Sequence, residues 1–150
     1  MIDYKYINDL IDAEDFCKVL ETLDSIEKKQ SNLCSNLLIL KGRCIQLSDC
    51  KRYTLDDAKM SFYKALKTDE HNIQALIELG WFYYTIENHS KKAFSYFNKA
   101  MFLSKKEMLE TIEGCSYCIN EYGTINKAID FIEINSRLDT SSIKIKIENE

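Results

Sequence analysis

The sequence predicts an all-α protein built from repeated helical hairpins, and three observations support this prediction. The 150 residues include no proline and only four glycines, so almost nothing interrupts long helices. Hydrophobic residues make up 45% and charged residues 29% of the chain, which is a globular composition. The third observation is an internal repeat of about 35 residues.

The repeat is clearest in a triplet of a small, an aromatic and a small residue, spaced by four and then three positions. The triplets are Ala58-Phe62-Ala65, Ala93-Phe97-Ala100 and, in weaker form, Ala128-Ile132-Asn135, while Val19-Leu23-Ile26 share the spacing near the amino terminus. Small residues seven positions apart lie on one face of a helix, where they let a neighbouring helix approach closely. We expect Gly42 and Gly80 to play the same part in the preceding helix of their units.

The chain resembles the tetratricopeptide repeat consensus of helix, turn and helix in the run Leu76…Leu79-Gly80…Tyr83…Ala93…Phe97…Ala100. The resemblance implies four units, at about 1–33, 34–72, 73–107 and 108–141, stacked as a short right-handed solenoid. The sequence departs from the consensus in two ways. The family's usual proline near the end of a unit is absent, and the second unit carries about four extra residues in its turn.

In chain order, the predicted helices cover residues 3–12, 14–28, 33–48, 55–68, 72–87, 90–104, 107–121 and 124–137. Capping residues support several starts: Asp12 or Asp15 opens the helix that contains Phe16, Thr54 precedes the fourth helix, and Ser90 stands at the start of the sixth. We expect residues 1–141 to form one helical repeat domain.

Residues 142–150 form a tail that breaks the helical pattern. Its segment 142–148 alternates apolar and polar residues with period two, which is typical of a β-strand. This segment is either a short strand that pairs with a partner or a second copy, or a solvated terminus.

By the resemblance, the first helix of each unit lines a concave binding face. The expected partner-binding residues are Ile39, Arg43 and Gln46 in the second unit, Ile77, Glu78, Trp81 and Tyr84 in the third, and Ser116 and Asn120 in the fourth. Because a helix buries only one or two of its faces, the four consecutive aromatic residues at 81–84 cannot all be core. We expect Phe82 and Tyr83 to be buried. Trp81 and Tyr84 either contact a partner or belong to a packed helix surface.

Other kinds of site find little support in the sequence. The groove positions lack the cations of a carboxylate clamp, with which one subgroup of the family holds acidic chaperone tails. Cys115 and Cys118 are spaced like two zinc ligands, but no second close pair accompanies them, so we interpret the cysteines as reduced core thiols. The sequence contains no glycine-rich phosphate loop, metalloprotease motif or nucleophile elbow. We therefore expect no enzymatic activity, no cofactor and no metal.

Charge and targeting signals narrow the choice of partner. Residues 1–40 and 107–150 carry net charges of −4 and −5, whereas residues 41–106 carry +5. The net charge of −4 on the whole chain disfavours nucleic acid as a partner. No apolar run is long enough to span a membrane and no secretory signal is evident, so we expect a cytoplasmic protein.

The sequence thus predicts a protein–protein interaction module with no small-molecule substrate. One hypothesis is an immunity or inhibitor-type protein that neutralises a partner such as a toxin domain, because acidic segments suit a basic active site. The alternative is an adaptor or assembly chaperone that holds peptides or subunits in the concave groove. A third class is a transcriptional or sensory regulator. The oligomeric state stays open.

Overall fold

The structure, a computed structural model, describes residues 2–30, 32–122 and 127, with side chains described for 2–30, 32–109 and 127. In this part of the chain the secondary structure consists of six α-helices without a strand. The helices are α1 (Tyr4–Asp12), α2 (Phe16–Gln30), α3 (Ser35–Leu47), α4 (Leu55–Thr68), α5 (Ile73–Thr85) and α6 (Ser90–Tyr122). The prediction of an all-α fold is confirmed for these residues, and both ends of α1 to α5 lie within two residues of the predicted ranges.

Side-chain caps mark the starts of several helices. The carboxylate of Asp15 accepts the amide N–H of Lys18 at 3.2 Å, and Thr54 forms a reciprocal capping box with Asp57. These two starts are confirmed. The sixth helix begins at Ser90, as predicted, so the capping position falls one residue earlier, at His89, whose carbonyl accepts the amide N–H of Ala93 at 3.0 Å.

Two turns are made without glycine. Glu14, between α1 and α2, has φ of 54°, and Asn88, between α5 and α6, has φ of 49°. Asparagine tolerates this left-handed conformation, whereas glutamate carries a steric cost there. The turn at Glu14 therefore holds backbone strain that the packing of α1 on α2 must offset.

The chain divides into two units, residues 1–103 and 104–150. In the first unit one apolar core runs through α1 to α5 and the start of α6. Its fully buried side chains include Leu20, Leu23, Phe62, Leu76, Leu79 and Phe82. In the second unit, the described backbone continues α6 as far as Tyr122.

Two hairpins of the first unit repeat the same contact between glycine and phenylalanine. A Cβ atom added to Gly42 in α3 would lie less than 3.0 Å from three ring atoms of Phe62 in α4. A Cβ atom added to Gly80 in α5 would lie 2.6 Å from Cε1 of Phe97 in α6. The two phenylalanines are 35 residues apart in the sequence. The internal repeat is thus a repeated packing contact as well as a repeated sequence pattern.

The predicted break between two helices after residue 104 is wrong. The sequence predicts separate helices at 90–104 and 107–121, but the structure has a single helix of 33 residues, Ser90–Tyr122. The physical reason is that residues 104–107 read Ser-Lys-Lys-Glu, which contains neither proline nor glycine to end a helix. The predicted helix at 124–137, apart from Lys127, and the predicted strand at 142–148 lie outside the described residues.

Candidate protein-interaction surface

The exposed face of α5 carries two large aromatic side chains. Trp81 is 52% exposed and Tyr84 is 54% exposed, although each has an apolar ring. Phe82 and Tyr83 between them are 1% and 3% exposed, so their predicted burial is confirmed. Helical periodicity explains the difference, because the buried residues Leu76, Leu79 and Phe82 lie on the side of α5 that faces the core.

The two exposed rings are held in place by neighbouring aromatic rings. Trp81 and Tyr84 meet edge to face with centroids 6.1 Å apart. Trp81 also meets Phe97 of α6 edge to face, with centroids 5.2 Å apart. Such pairs contribute about 0.5–1.5 kcal/mol beyond burial. We call the exposed pair Trp81 and Tyr84 the aromatic ridge.

An ion pair links the same face of α5 to α3. The guanidinium of Arg43 donates from Nε to Oε1 of Glu78 at 2.7 Å, and Nη2 donates to the same oxygen. Gln74, one turn before Glu78, donates from Nε2 to that oxygen at 3.0 Å. The Glu78 side chain is only 14% exposed, so water screens the pair incompletely. Arg43 is therefore paired with a carboxylate of the same chain and is not a free cation.

Arg43 and Glu78 are each predicted to bind a partner, but in the structure they bind each other. The available signal was their separation of 35 residues, which equals the repeat interval. Residues one repeat apart occupy equivalent positions on neighbouring units and so come close when the units stack.

The remaining predicted residues are placed differently from one another. Gln46 and Ile77 are partly exposed. Ile39 is 3% exposed and belongs to the core, so it offers a partner almost no surface, and its assignment to the groove is corrected. The stacking of neighbouring helices on α3 covers this position, which a helical pattern alone does not show. Ser116 and Asn120 lie in the part of α6 whose side chains are outside the described residues.

A second charged network joins α2 to α3 and to the turn that precedes α4. The ammonium of Lys41 lies 2.8 Å from Asp24 and 2.7 Å from Glu27. Asp24 also accepts a hydrogen bond from the hydroxyl of Tyr53 and pairs with Arg52 at 3.3 Å. Two carboxylates of α2 are thereby paired with cations from the basic segment that follows the helix.

The pKa values of these carboxyl groups follow from the same contacts. Burial disfavours the charged form of Asp24, but hydrogen bonds from Lys41 and Tyr53 outweigh it and hold the pKa below its usual value. The hydrogen bond from Lys41 likewise lowers the pKa of Glu27. Both groups are charged at neutral pH, and both are paired with cations of the same chain. The acidic side chains of the amino-terminal part that remain exposed lie mostly around α1, at Asp3, Asp9, Asp12 and Glu14, with Glu21 in α2.

Other features of the described residues give no competing site. No cluster of three or more His, Cys, Asp or Glu side chains that could hold a metal ion occurs among them. None of the helices, within the residues described, is both long and apolar enough to cross a membrane. A surface groove of about 460 Å³ is lined by residues that include Glu27, Lys64 and Lys67 and contains no predicted binding residue.

Comparison with known proteins gives no family assignment. No protein-family model matches the sequence, and a search of curated proteins finds no significant match. The functional argument therefore rests on the side chains of this chain.

Proposed function

We propose that the chain is a non-enzymatic protein-binding module of tetratricopeptide-like helical hairpins, and that the aromatic ridge is its main contact. The observation that carries the proposal is the exposure of Trp81 and Tyr84 on a helix whose other large aromatic residues are buried. Tryptophan and tyrosine are the residues that most often dominate the binding energy of protein interfaces.

The magnitude of the exposed surface supports this role. Trp and Tyr each have about 150–250 Å² to bury, so two half-exposed rings leave roughly 200 Å² uncovered. At about 25 cal/mol per Å², covering this surface is worth about 5 kcal/mol before the costs of association. The contact with Phe97 reduces one of those costs, because the Trp81 ring is already held in one orientation.

The partner that best fits this surface is a folded domain with a pocket for an aromatic side chain. An extended peptide with a free carboxylate would need an unpaired cation in the groove, and Arg43 is engaged by Glu78. The exposed carboxylates around α1 add a negative surface that complements a basic partner. These features favour an immunity or inhibitor-type protein that covers a basic domain, such as that of a toxin, in the cytoplasm.

We propose a non-enzymatic role because the sequence contains no catalytic motif and because its two histidines lie far apart. His71 lies just before α5 and His89 just after it, so the two rings are separated by a helix of 13 residues, about 20 Å long. General acid–base catalysis requires groups within hydrogen-bond reach of one another or of a shared substrate.

Affinity capture from the native cell tests the inhibitor function. The baits are the wild type, the double variant Trp81→Ala/Tyr84→Ala, and the control Tyr4→Ala, which removes an equally exposed tyrosine from α1 (56% exposed). We expect the wild type and the control to retain one folded, basic partner that the double variant loses. Recovery of several peptides or subunits with micromolar affinity would instead support an adaptor or assembly chaperone.

A further inference from the structure

Two cysteine side chains meet where the turn between α3 and α4 rests on α2. The thiol of Cys17, in the first turn of α2, is within hydrogen-bond reach of the thiol of Cys50, which belongs to that turn. Both side chains are partly exposed, whereas Cys44 is buried and Cys34 is exposed. We call Cys17 and Cys50 the thiol pair.

Contacts that involve neither sulfur hold the turn against α2. Asp24 follows Cys17 by two helical turns and therefore lies on the same face of α2. The carboxylate of Asp24 accepts a hydrogen bond from the hydroxyl of Tyr53 and pairs with Arg52 at 3.3 Å. The amide N–H of Tyr53 donates to the carbonyl of Cys50 at 3.1 Å. The backbone that carries Cys50 is thus anchored to the helix that carries Cys17.

A small molecule can reach the thiol pair from solvent. A cavity of about 300 Å³ is lined by Cys17 and by residues 47–49, which immediately precede Cys50. Cys50 packs against the apolar core and yet remains partly exposed. Cys44 differs in both respects, because it is buried and burial raises its pKa to about 11, which leaves an inert core thiol.

The surroundings of Cys17 keep its thiol protonated near neutral pH. The hydrogen bond to Cys50 raises the pKa of Cys17, and burial and the negative charges of Asp15 and Glu21 act in the same direction. Since the thiolate is the form that attacks a disulfide, Cys17 reacts slowly with a reagent in solution. A sulfur that is already in contact is a much better partner, because the reaction between the two is intramolecular.

We propose that Cys17 and Cys50 form an intramolecular disulfide when the protein meets a low-molecular-weight disulfide such as oxidised glutathione. One cysteine thiolate attacks the reagent, forms a mixed disulfide and releases the first thiolate of the reagent. The thiolate of the other cysteine then attacks the cysteine sulfur of the mixed disulfide and releases the second. Two electrons pass from the cysteine sulfurs to the reagent, and the two cysteine protons end on the two thiols that leave.

The disulfide fastens the turn to α2 by a covalent bond in addition to the contacts of Asp24. The two cysteines are 33 residues apart, and a cross-link over a loop of this length stabilises a fold mainly by restricting the unfolded chain. In a reducing compartment the pair stays as two thiols, so the bond responds to oxidation. Neither cysteine belongs to the aromatic ridge, and the proposal does not depend on the identity of a partner.

The test starts from the fully reduced chain, which is incubated with oxidised glutathione at about pH 8 to supply thiolate. Intact-mass measurement and peptide mapping without reduction identify the bond. We expect a loss of about 2 Da and a linked pair of peptides that joins Cys17 to Cys50. The midpoint of thermal unfolding should be roughly 5–10 °C higher for the oxidised than for the reduced protein. Cys34→Ser, the matched control, should keep both results, whereas Cys17→Ser and Cys50→Ser should each lose both.

The same incubation in urea separates the folded geometry from chance encounters along the chain. Unfolding removes the thiol contact, so the equilibrium constant for the bond should be smaller by about tenfold or more. The proposal is overturned if the folded protein stays reduced, carries only glutathione adducts or links other cysteines. It is also overturned if urea leaves the equilibrium constant unchanged, because the fold would then contribute nothing to the pairing.

Discussion

The contact between Gly42 and Phe62 provides a direct test of the repeated hairpin packing. In Gly42→Ala, the new Cβ atom would be less than 3.0 Å from three atoms of the Phe62 ring. Phe62 is fully buried, so the ring cannot swing towards solvent to make room. Overpacking of this kind costs about 1–3 kcal/mol, and a rigid ring places this site near the upper end. Alanine recovers roughly 0.5–1 kcal/mol over glycine inside a helix.

The expected result for Gly42→Ala is therefore a loss of about 2 kcal/mol in the free energy of unfolding. For a chain of 150 residues this lowers the midpoint of thermal unfolding by about 8 °C. Gly80→Ala is the matched variant in the next hairpin. Its clash is with Phe97, which is only partly buried and can shift, so we expect a change within about 1 kcal/mol of zero. Because Trp81 rests on Phe97, Gly80→Ala should also alter the tryptophan fluorescence.

The assay is urea unfolding followed by circular dichroism, completed as a double-mutant cycle with Phe62→Leu. The smaller side chain should accommodate the alanine, so the cost of Gly42→Ala should fall by about 1–2 kcal/mol in that background. The reasoning is refuted if Gly42→Ala is as stable as the wild type. It is also refuted if the effects of Gly42→Ala and Phe62→Leu simply add.

Two further variants test the charged network and the strained turn. Lys41→Met should lower the free energy of unfolding by about 1–3 kcal/mol at pH 7, because it leaves Asp24 and Glu27 without their ammonium. Because the pKa values of both carboxyl groups are lowered in the folded state, their ion pairs stabilise the fold fully at pH values above the usual pKa near 4. This stabilisation is lost as the pH falls through the lowered pKa values. The difference in the free energy of unfolding between Lys41→Met and the wild type should therefore be smaller at pH 3 than at pH 7. Glu14→Gly should raise the free energy of unfolding by up to about 1 kcal/mol, since glycine adopts φ of 54° without strain. A destabilised Glu14→Gly protein would show that the turn is held by contacts of the glutamate side chain.

Local sequence signals predicted the helices well, and tertiary contacts account for most of what they missed. The bounds of α2 to α5 follow from hydrophobic spacing and from caps such as Thr54 and Asp15, which act within one turn of the chain. The break expected near Lys105 followed the internal repeat of about 35 residues, and residues 104–107 contain no proline or glycine to end a helix. The burial of Ile39 depends on neighbouring helices, so no property of α3 alone predicts it.

The candidate surface was also predicted only in part, because local spacing indicates which rings of one helix face outward but not which residues of different helices meet. The run of aromatic residues at 81–84 already required that some rings face outward. The two outer rings of the run are exposed and the two inner rings are buried, which agrees with helical geometry. The pair of Arg43 with Glu78 and the convergence of Tyr63, Tyr83 and Lys92 join residues from different helices. Such contacts depend on how the hairpins stack, which spacing along one helix does not specify.

The central claim is that the aromatic ridge contacts a protein partner. Its most direct test is the Kd of the purified, captured partner for the wild type, for Trp81→Ala/Tyr84→Ala and for the Tyr4→Ala control, each first shown to unfold at the same temperature. We predict that the double variant raises the Kd about 30- to 150-fold, corresponding to about 2–3 kcal/mol, while Tyr4→Ala leaves it within twofold. An unchanged Kd for the folded double variant would contradict the account and place the interface elsewhere on the chain.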